Sequence, residues 1–431
     1  MSGMNTKSAP KRDPLMTTPV LILLGCGILG WTAEGIVQPA IPLLVLDRGG
    51  DAILIGIVAA MFALPTLALR PLIGHRIDRT GHGPTHRLGG AILSVAPLAF
   101  VVAPLALVPF ARFVNGVGWA MYGTANNVVL ARLAPASRRA EASSYFNVAY
   151  ALGFLVGPPL GLFLYTGVSA GAPFLAAALV AFGSFVAAGI LARRTRDNGA
   201  EGPVARPATV AAPSPGTAAA LNVPDGAPSG NSVIRGLSRL FEPTAVPAML
   251  GTALFMASQS LFMLFAPVYA RASGFPVEQL AVFYPLYSGL LIAGQLFTGR
   301  LSDRIGRTRT IAIGTVIGCI GMSIAMLPGQ LLTFAIGGSL VAFGTTFVTP
   351  SFAAAAMDRA PAHRLGVSMA TFSMGFQLAA GLGGALWGLV IGTVGYPWPF
   401  VIAALFQVAG LGLALRYFRT RRAAVVLTPA G

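Results

Sequence analysis

Glu34 and Arg112 are the two charged residues of this chain that fall well inside long apolar runs. The remaining acidic residues, from a total of 13, fall in loops, in tails or at the ends of such runs. A charge in the middle of a bilayer costs about 2.5–3.5 kcal/mol on insertion scales, so it must face protein or water, and it marks a functional candidate. A nearby arginine lowers the pKa of a carboxylate, and burial raises it. A conformational change that alters both would give a group that loads and unloads a proton. A purely structural ion pair is the other use of the same two residues.

Arg112 heads a file of polar and aromatic side chains. Arg112, Asn115, Trp119, Tyr122 and Asn126 recur at alternating intervals of 3 and 4, which is one helical face. A polar face on a membrane-spanning helix should line a cavity, because lipid leaves its polar groups unsatisfied. Gln38 lies one turn beyond Glu34, and Asn147 and Tyr150 extend the candidate cavity into the fifth apolar run. The second half contributes Gln259, Phe262, Met263, Tyr284, Tyr287, Phe376 and Gln377, and no embedded charge. A cavity with one charged half and one aromatic half suits an amphipathic or aromatic small molecule. A sugar would need many more hydrogen-bonding groups.

The elements that must hold these residues are apolar helices. Hydrophobic residues make up 55% of the chain and charged residues 10%, with a mean hydropathy of +0.75, which is the composition of an integral membrane protein. Twelve stretches approach the roughly 20 residues needed to span: 19–46, 51–72, 88–105, 107–131, 142–166, 171–192, 244–270, 277–298, 310–328, 331–354, 366–392 and 397–417. The first runs on into further apolar sequence, so it is expected to stay as a span and not to be a cleaved signal. The expected fold is all-α. Two six-helix bundles, 19–192 and 243–417, are flanked by cytoplasmic tails 1–18 and 418–431 and joined by a cytoplasmic linker, 193–242. The linker opens with Arg193, Arg194 and Arg196. It continues as a Pro/Ala/Gly/Ser tract from Gly199 to Gly230 that cannot bury enough surface to fold. A short amphipathic piece, 233–241, is expected to lie on the membrane surface.

The net charge of +16 does not indicate a nucleic-acid partner. All but three of the 29 lysines and arginines fall in segments that one topology places on the cytoplasmic side; Arg48 and Arg271 lie outside and Arg112 within a span. That is the positive-inside pattern, with both termini cytoplasmic and the chain a multi-pass protein of a bacterial inner membrane. Cys26 and Cys319 sit in apolar helices and read as small buried hydrophobes. His75, His82 and His86 fall in a loop without a cysteine or clustered carboxylates, so no metal is expected. With His363 also in a loop and no nucleophile–base or carboxylate pair in the spans, no enzyme chemistry and no cofactor are expected. Nothing demands more than a monomer.

The chain also repeats itself. Gly74-His75-Arg76-Ile77-Asp78-Arg79-Thr80-Gly81 returns as Gly299-Arg300-Leu301-Ser302-Asp303-Arg304-Ile305-Gly306, 225 positions later. Ala134-Pro135-Ala136-Ser137-Arg138 returns as Ala360-Pro361-Ala362-His363-Arg364, at an offset of 226. Duplicated helical bundles around a midplane site are how secondary transporters are built.

Over essentially its whole length the chain resembles the major facilitator superfamily. The Gly-x-x-x-Asp-Arg-x-Gly loops resemble that family's signature after spans 2 and 8. The resemblance implies two six-helix bundles about a central cavity that opens alternately to either side. It also implies a latch on the cytoplasmic side, formed by Gly74, Asp78, Arg79, Gly81, Gly299, Asp303, Arg304 and Gly306 through ion pairs or helix N-termini. Arg112 to Ala120 resembles the fourth-span motif, with Asn115 where glutamine is common, and implies proton transfer at Arg112. Glu34 and Gln38, followed by Pro39 and Pro42, resemble an acidic first-span motif. Since spans 1 and 4 both line the family's cavity, Glu34 is expected to meet Arg112. Gly153, Gly157, Pro158, Pro159 and Gly161 resemble the fifth-span motif of the family's antiporters, with Leu162 replacing its last glycine. Small residues there allow close helix contact, and the prolines kink the span. The resemblance implies proton-coupled export of a drug, siderophore or metabolite. Proton-coupled import of a small metabolite is the alternative, and the fifth-span motif argues against it.

Overall fold

The computed structural model describes residues 15–135, 139–197, 241–327, 331–361 and 365–426, and no strand occurs among them. The first half comprises α1 (Thr18–Asp47), α2 (Ala52–Ala68), α3 (Arg70–Thr80), α4 (His82–Val102), α5 (Val108–Leu133), α6 (Arg139–Gly167) and α7 (Ala172–Asp197). The second comprises α8 (Val246–Ala272), α9 (Leu280–Ile305), α10 (Arg307–Ala325), α11 (Leu331–Arg359), α12 (Leu365–Leu378), α13 (Gly384–Val394) and α14 (Trp398–Val426). A wide π turn, Ala379–Gly383, joins α12 to α13. Ten helical segments among the described residues are long and apolar enough to cross a membrane. The two expected spans outside that group are α2, which is short at 17 residues, and α5, whose polar face lowers its hydropathy. The chain is an all-α, multi-pass membrane protein.

Each copy of the repeated motif ends one helix and starts the next. Gly81 separates α3 from α4 with φ 79°, and Gly306 separates α9 from α10 with φ 87°. Only glycine takes that backbone region at no steric cost, so the motif's last residue is fixed by the turn. The side chains of Asp78 and Asp303, central to the expected latch, lie outside the described residues, as does the amphipathic piece before residue 241. Arg79 and Arg304 are exposed.

One boundary differs from the sequence expectation in a way that matters. The third span was expected from residue 88, with His82 and His86 in a flexible loop. In the structure α4 begins at His82, and both histidines are buried inside the first bundle. Polar residues and glycines at the start of this helix hide it from a hydropathy reading.

The halves meet along three helix pairs: α2 with α13, α6 with α9, and α1 with α8. Glycines bring α2 and α13 together: a methyl on Gly56 would meet the Gly384 carbonyl at 2.8 Å, and one on Gly392 would meet Ile53 at 2.6 Å. Further along, Thr66 donates to Gln377 at 2.9 Å, and Ser288 of α9 donates to the Phe154 carbonyl of α6 at 3.2 Å. At one end of the bundles, Asp47 at the end of α1 pairs with Arg271 at the end of α8 at 2.6 Å. Tyr165 of α6 donates to the same carboxylate at 2.5 Å. The halves are therefore tied together at this end. The first motif's helix, α3, packs on α2, α4 and α5 of its own half.

Candidate functional site

The site starts where α1 is pressed against α6. A methyl on Gly153 would meet Trp31 Cβ at 2.5 Å, one on Gly157 would meet the Thr32 carbonyl at 2.7 Å, and one on Gly161 would overlap the Ile36 carbonyl. Gly35 answers from α1, with Pro158 3.0 Å from where its side chain would begin. Small residues let the two backbones touch where lipid offers no hydrophobic drive for association. The fifth-span motif thus fixes the stretch of α1 that carries Glu34.

Glu34 meets Arg112 there. Arg112 Nη2 lies 2.5 Å from Glu34 Oε1 and Nη1 lies 3.4 Å from Oε2, while Nη1 also donates to Asn115 Oδ1 at 2.5 Å. The guanidinium lies 4.0 Å over the ring of Phe62 on α2. Glu34 is 8% exposed and Arg112 7%. Forked pairing and a third polar partner are what a buried ion pair needs to offset desolvation. Trp31 covers the pair's flank, edge-on to Trp119 at 4.4 Å and to Tyr150 at 4.6 Å.

The rest of the α5 stripe runs elsewhere than expected. Tyr122 donates to the Cys26 carbonyl at 2.9 Å and is hydrogen-bonded to Ser184, and Asn126 is 3% exposed. Both lie inside the first bundle, among α1, α4 and α7, and not on the cleft between the halves. A helical period identifies a polar face but not what covers it. Here Gly89 allows α4 to cover it, since a methyl at that position would meet the Tyr122 backbone nitrogen at 2.6 Å.

Phe262 is a second correction. It is fully buried against Phe334 and Phe400, with ring centres 5.0 and 5.7 Å away, and packs the second bundle. Met263 is buried in a core cluster drawn from both halves. Between the halves the structure places Tyr150 beside Tyr287, with Gln259 next to it. Tyr284 shares the Tyr287 face of α9 and both are buried; the Tyr284 hydroxyl and Gln38 Oε1 lack a hydrogen-bond partner, while Gln259 lies against the Tyr287 hydroxyl. Buried polar groups are normally satisfied, so unpartnered ones are candidates for a ligand contact. Asn147 is exposed, one turn from Tyr150. Phe376 packs edge-on to Phe372, and Gln377 accepts from Thr66.

The ties around Asp47 and Arg48 were not anticipated. Arg271 bridges the halves through Asp47, and Arg48 donates to the carbonyls of Phe100, Val101 and Ala103 at the end of α4. The signal was present in the charge pattern: these two arginines are the ones the positive-inside pattern leaves on the outer side.

The family model described as Major Facilitator Superfamily matches residues 23–302 and 248–430 of this chain. The chain is 22% identical over 426 residues to Multidrug resistance protein 2 of Bacillus subtilis (strain 168), covering 95% of this chain and 98% of that protein. It is 24% identical over 431 residues to an uncharacterized MFS-type transporter of Burkholderia mallei (strain SAVP1), with 96% of each covered. Among solved structures, it is similar to a bacterial homologue of the human lysosomal transporter Spinster, captured inward-facing and unoccupied. The TM-score is 0.71 at 16% identity, over 97% of this chain and 100% of that one.

Proposed function

Given that this chain belongs to the Major Facilitator Superfamily and is a membrane transporter, we propose that it exports a small amphipathic or aromatic molecule in exchange for protons, with Glu34 as the proton carrier. The carrying observation is the embedded Glu34–Arg112 pair, held by Asn115 and flanked by tryptophans. With Arg112 against it, the Glu34 carboxyl has a cationic partner. Were rocking of the halves to withdraw the arginine, burial would favour the protonated acid. Substrate would sit between the halves near Gln38, Asn147, Tyr150, Gln259, Tyr284 and Tyr287, where hydroxyls and amides face aromatic walls. The resemblance of the multidrug relative and of the Gly153–Gly161 segment supports export over import. The membrane is a bacterial inner membrane, the termini are cytoplasmic, and one chain suffices.

The driving force is adequate. At 100 mV each proton carried inward supplies about 2.3 kcal/mol, roughly a 50-fold accumulation before any pH gradient acts. The test uses everted vesicles and a pH-sensitive dye, with substrates first drawn from an accumulation screen of a deletion strain against a broad compound panel. Substrate-induced proton release in wild type and none in Glu34→Gln is the expected result. Normal transport by Glu34→Gln would remove the carrier assignment, and proton uptake in step with substrate would indicate import.

A further inference from the structure

Two histidines inside the first bundle have no part in the exchange just described. His86 on α4 is fully buried, with the side chain of Asn126 on α5 against its ring. Its ring centre lies 4.7 Å from that of Tyr122. One turn closer to the inner face, His82 is 1% exposed, with Nε2 3.1 Å from Thr195 Oγ1 and Nδ1 unpartnered. Beyond Tyr122 in the other direction lies a small cavity of about 10 Å³, lined by Glu34, Asn115, Trp119, Tyr122 and Ser184 among others. That is about the room one water needs, with several polar groups to hold it. Polar side chains are thus spaced along the interior from Glu34 to the start of α4, among α1, α4, α5 and α7.

We propose that this file is a proton conduit, leading from Glu34 through Tyr122 and Ser184 to His86 and His82, and that it discharges at the inner face without entering the cleft between the halves. It rests on the reading of Glu34 as proton carrier. The acid gives its proton to a water in the cavity as that water gives one to the Tyr122–Ser184 hydroxyl pair. The pair passes a proton to one nitrogen of His86, and the imidazolium releases the proton on its other nitrogen toward His82. One proton leaves, Glu34 becomes a carboxylate, and each relay group regains its starting charge. Imidazole suits the step because one ring nitrogen can accept a proton while the other donates one. The surroundings favour discharge. Arg132 of α5 acts on His82, Arg193 and Arg194 are exposed at the end of α7, and Arg79 is exposed at the end of α3. From α1 the file meets the Cys26 carbonyl. A separate route lets the proton leave while substrate occupies the cleft.

The test needs no substrate. Full-length protein in lipid is exposed to a photoreleased proton pulse, and the carbonyl band of protonated Glu34, identified by its loss in Glu34→Gln, is followed by time-resolved infrared. His86→Leu and Tyr122→Phe should slow the response of that band about tenfold or more with unchanged final amplitude, while exposed His75→Ala responds as wild type. Should His86→Leu fail to fold, His86→Gln decides, since an amide keeps the polarity but not the relay. Wild-type speed in the folded His86 variants, with a titrating Glu34, would overturn the conduit and leave the carrier intact. A Glu34 band that never responds in wild type would overturn both.

Discussion

The two halves share a frame and differ in what fills it. At the offset of 226 set by the loop repeats, Glu34 corresponds to Ser260, and Arg112, Asn115, Tyr122 and Asn126 correspond to Gly338, Val341, Val348 and Phe352. Where the first half holds an ion pair, the second holds a ring: a methyl on Gly338 would meet Phe262 at 2.6 Å, and Val341, Val348 and Phe352 are fully buried. The kink differs too. Gly153 to Gly161, with its two prolines, corresponds to 379–387, where the structure has a π turn in place of a proline kink. A π turn in a long helix widens it locally without proline. The difference teaches that duplication preserves the helical frame, while one copy is free to turn its core polar and hold a buried ion pair.

The comparison breaks first at the ion pair. Arg112→Leu leaves the Glu34 charge buried without its partner and should cost about 3–5 kcal/mol of stability and abolish transport. The double variant Glu34→Gln/Arg112→Gln should regain most of the thermal stability in detergent without regaining coupled transport. Next is the helix contact beneath it. Gly161→Ala drives a methyl into the Ile36 carbonyl and should cost about 1–3 kcal/mol. Gly123→Ala, with open space at that position, should leave the melting temperature unchanged. The second half provides the contrast: Gly338→Ala must displace Phe262 and should cost a similar 1–3 kcal/mol, roughly, yet leave the number of protons moved per substrate unchanged. A changed stoichiometry there would break the division between the halves. The smallest effect belongs to the tie between the ends of α1 and α8. The Asp47–Arg271 pair is more than a third exposed, so solvent screening limits it to about 1 kcal/mol or less. Arg271→Gln should still raise thiol-reagent labelling of a cysteine placed in the outer cleft by a few-fold, roughly the factor that energy allows.

The sequence carried the architecture because span length, charge sidedness and the repeated glycine turns are all local properties. It carried the Glu34–Arg112 meeting for a related reason: two opposite charges in one hydrocarbon slab have few other partners. It did not carry the direction of the α5 stripe, because periodicity marks a face and leaves its cover unknown. The histidine file was hidden by a boundary placed several residues late, where His82, Gly83 and His86 interrupt the apolar run. The Asp47–Arg271 tie depends on how the ends of two distant helices meet, which no local pattern encodes. The glycines of the fifth-span motif were legible as close packing, and the structure adds what they pack against: the turn of α1 that presents Glu34.

The central claim is that the first half moves the proton and the cleft between the halves holds the substrate. The most direct measurement compares two modes of one variant in proteoliposomes. Glu34→Gln is assayed for substrate counterflow at zero gradient and for uphill transport against an imposed proton gradient. Counterflow near the wild-type rate with uphill transport lost is the predicted result. Uphill transport at the wild-type level would contradict the account.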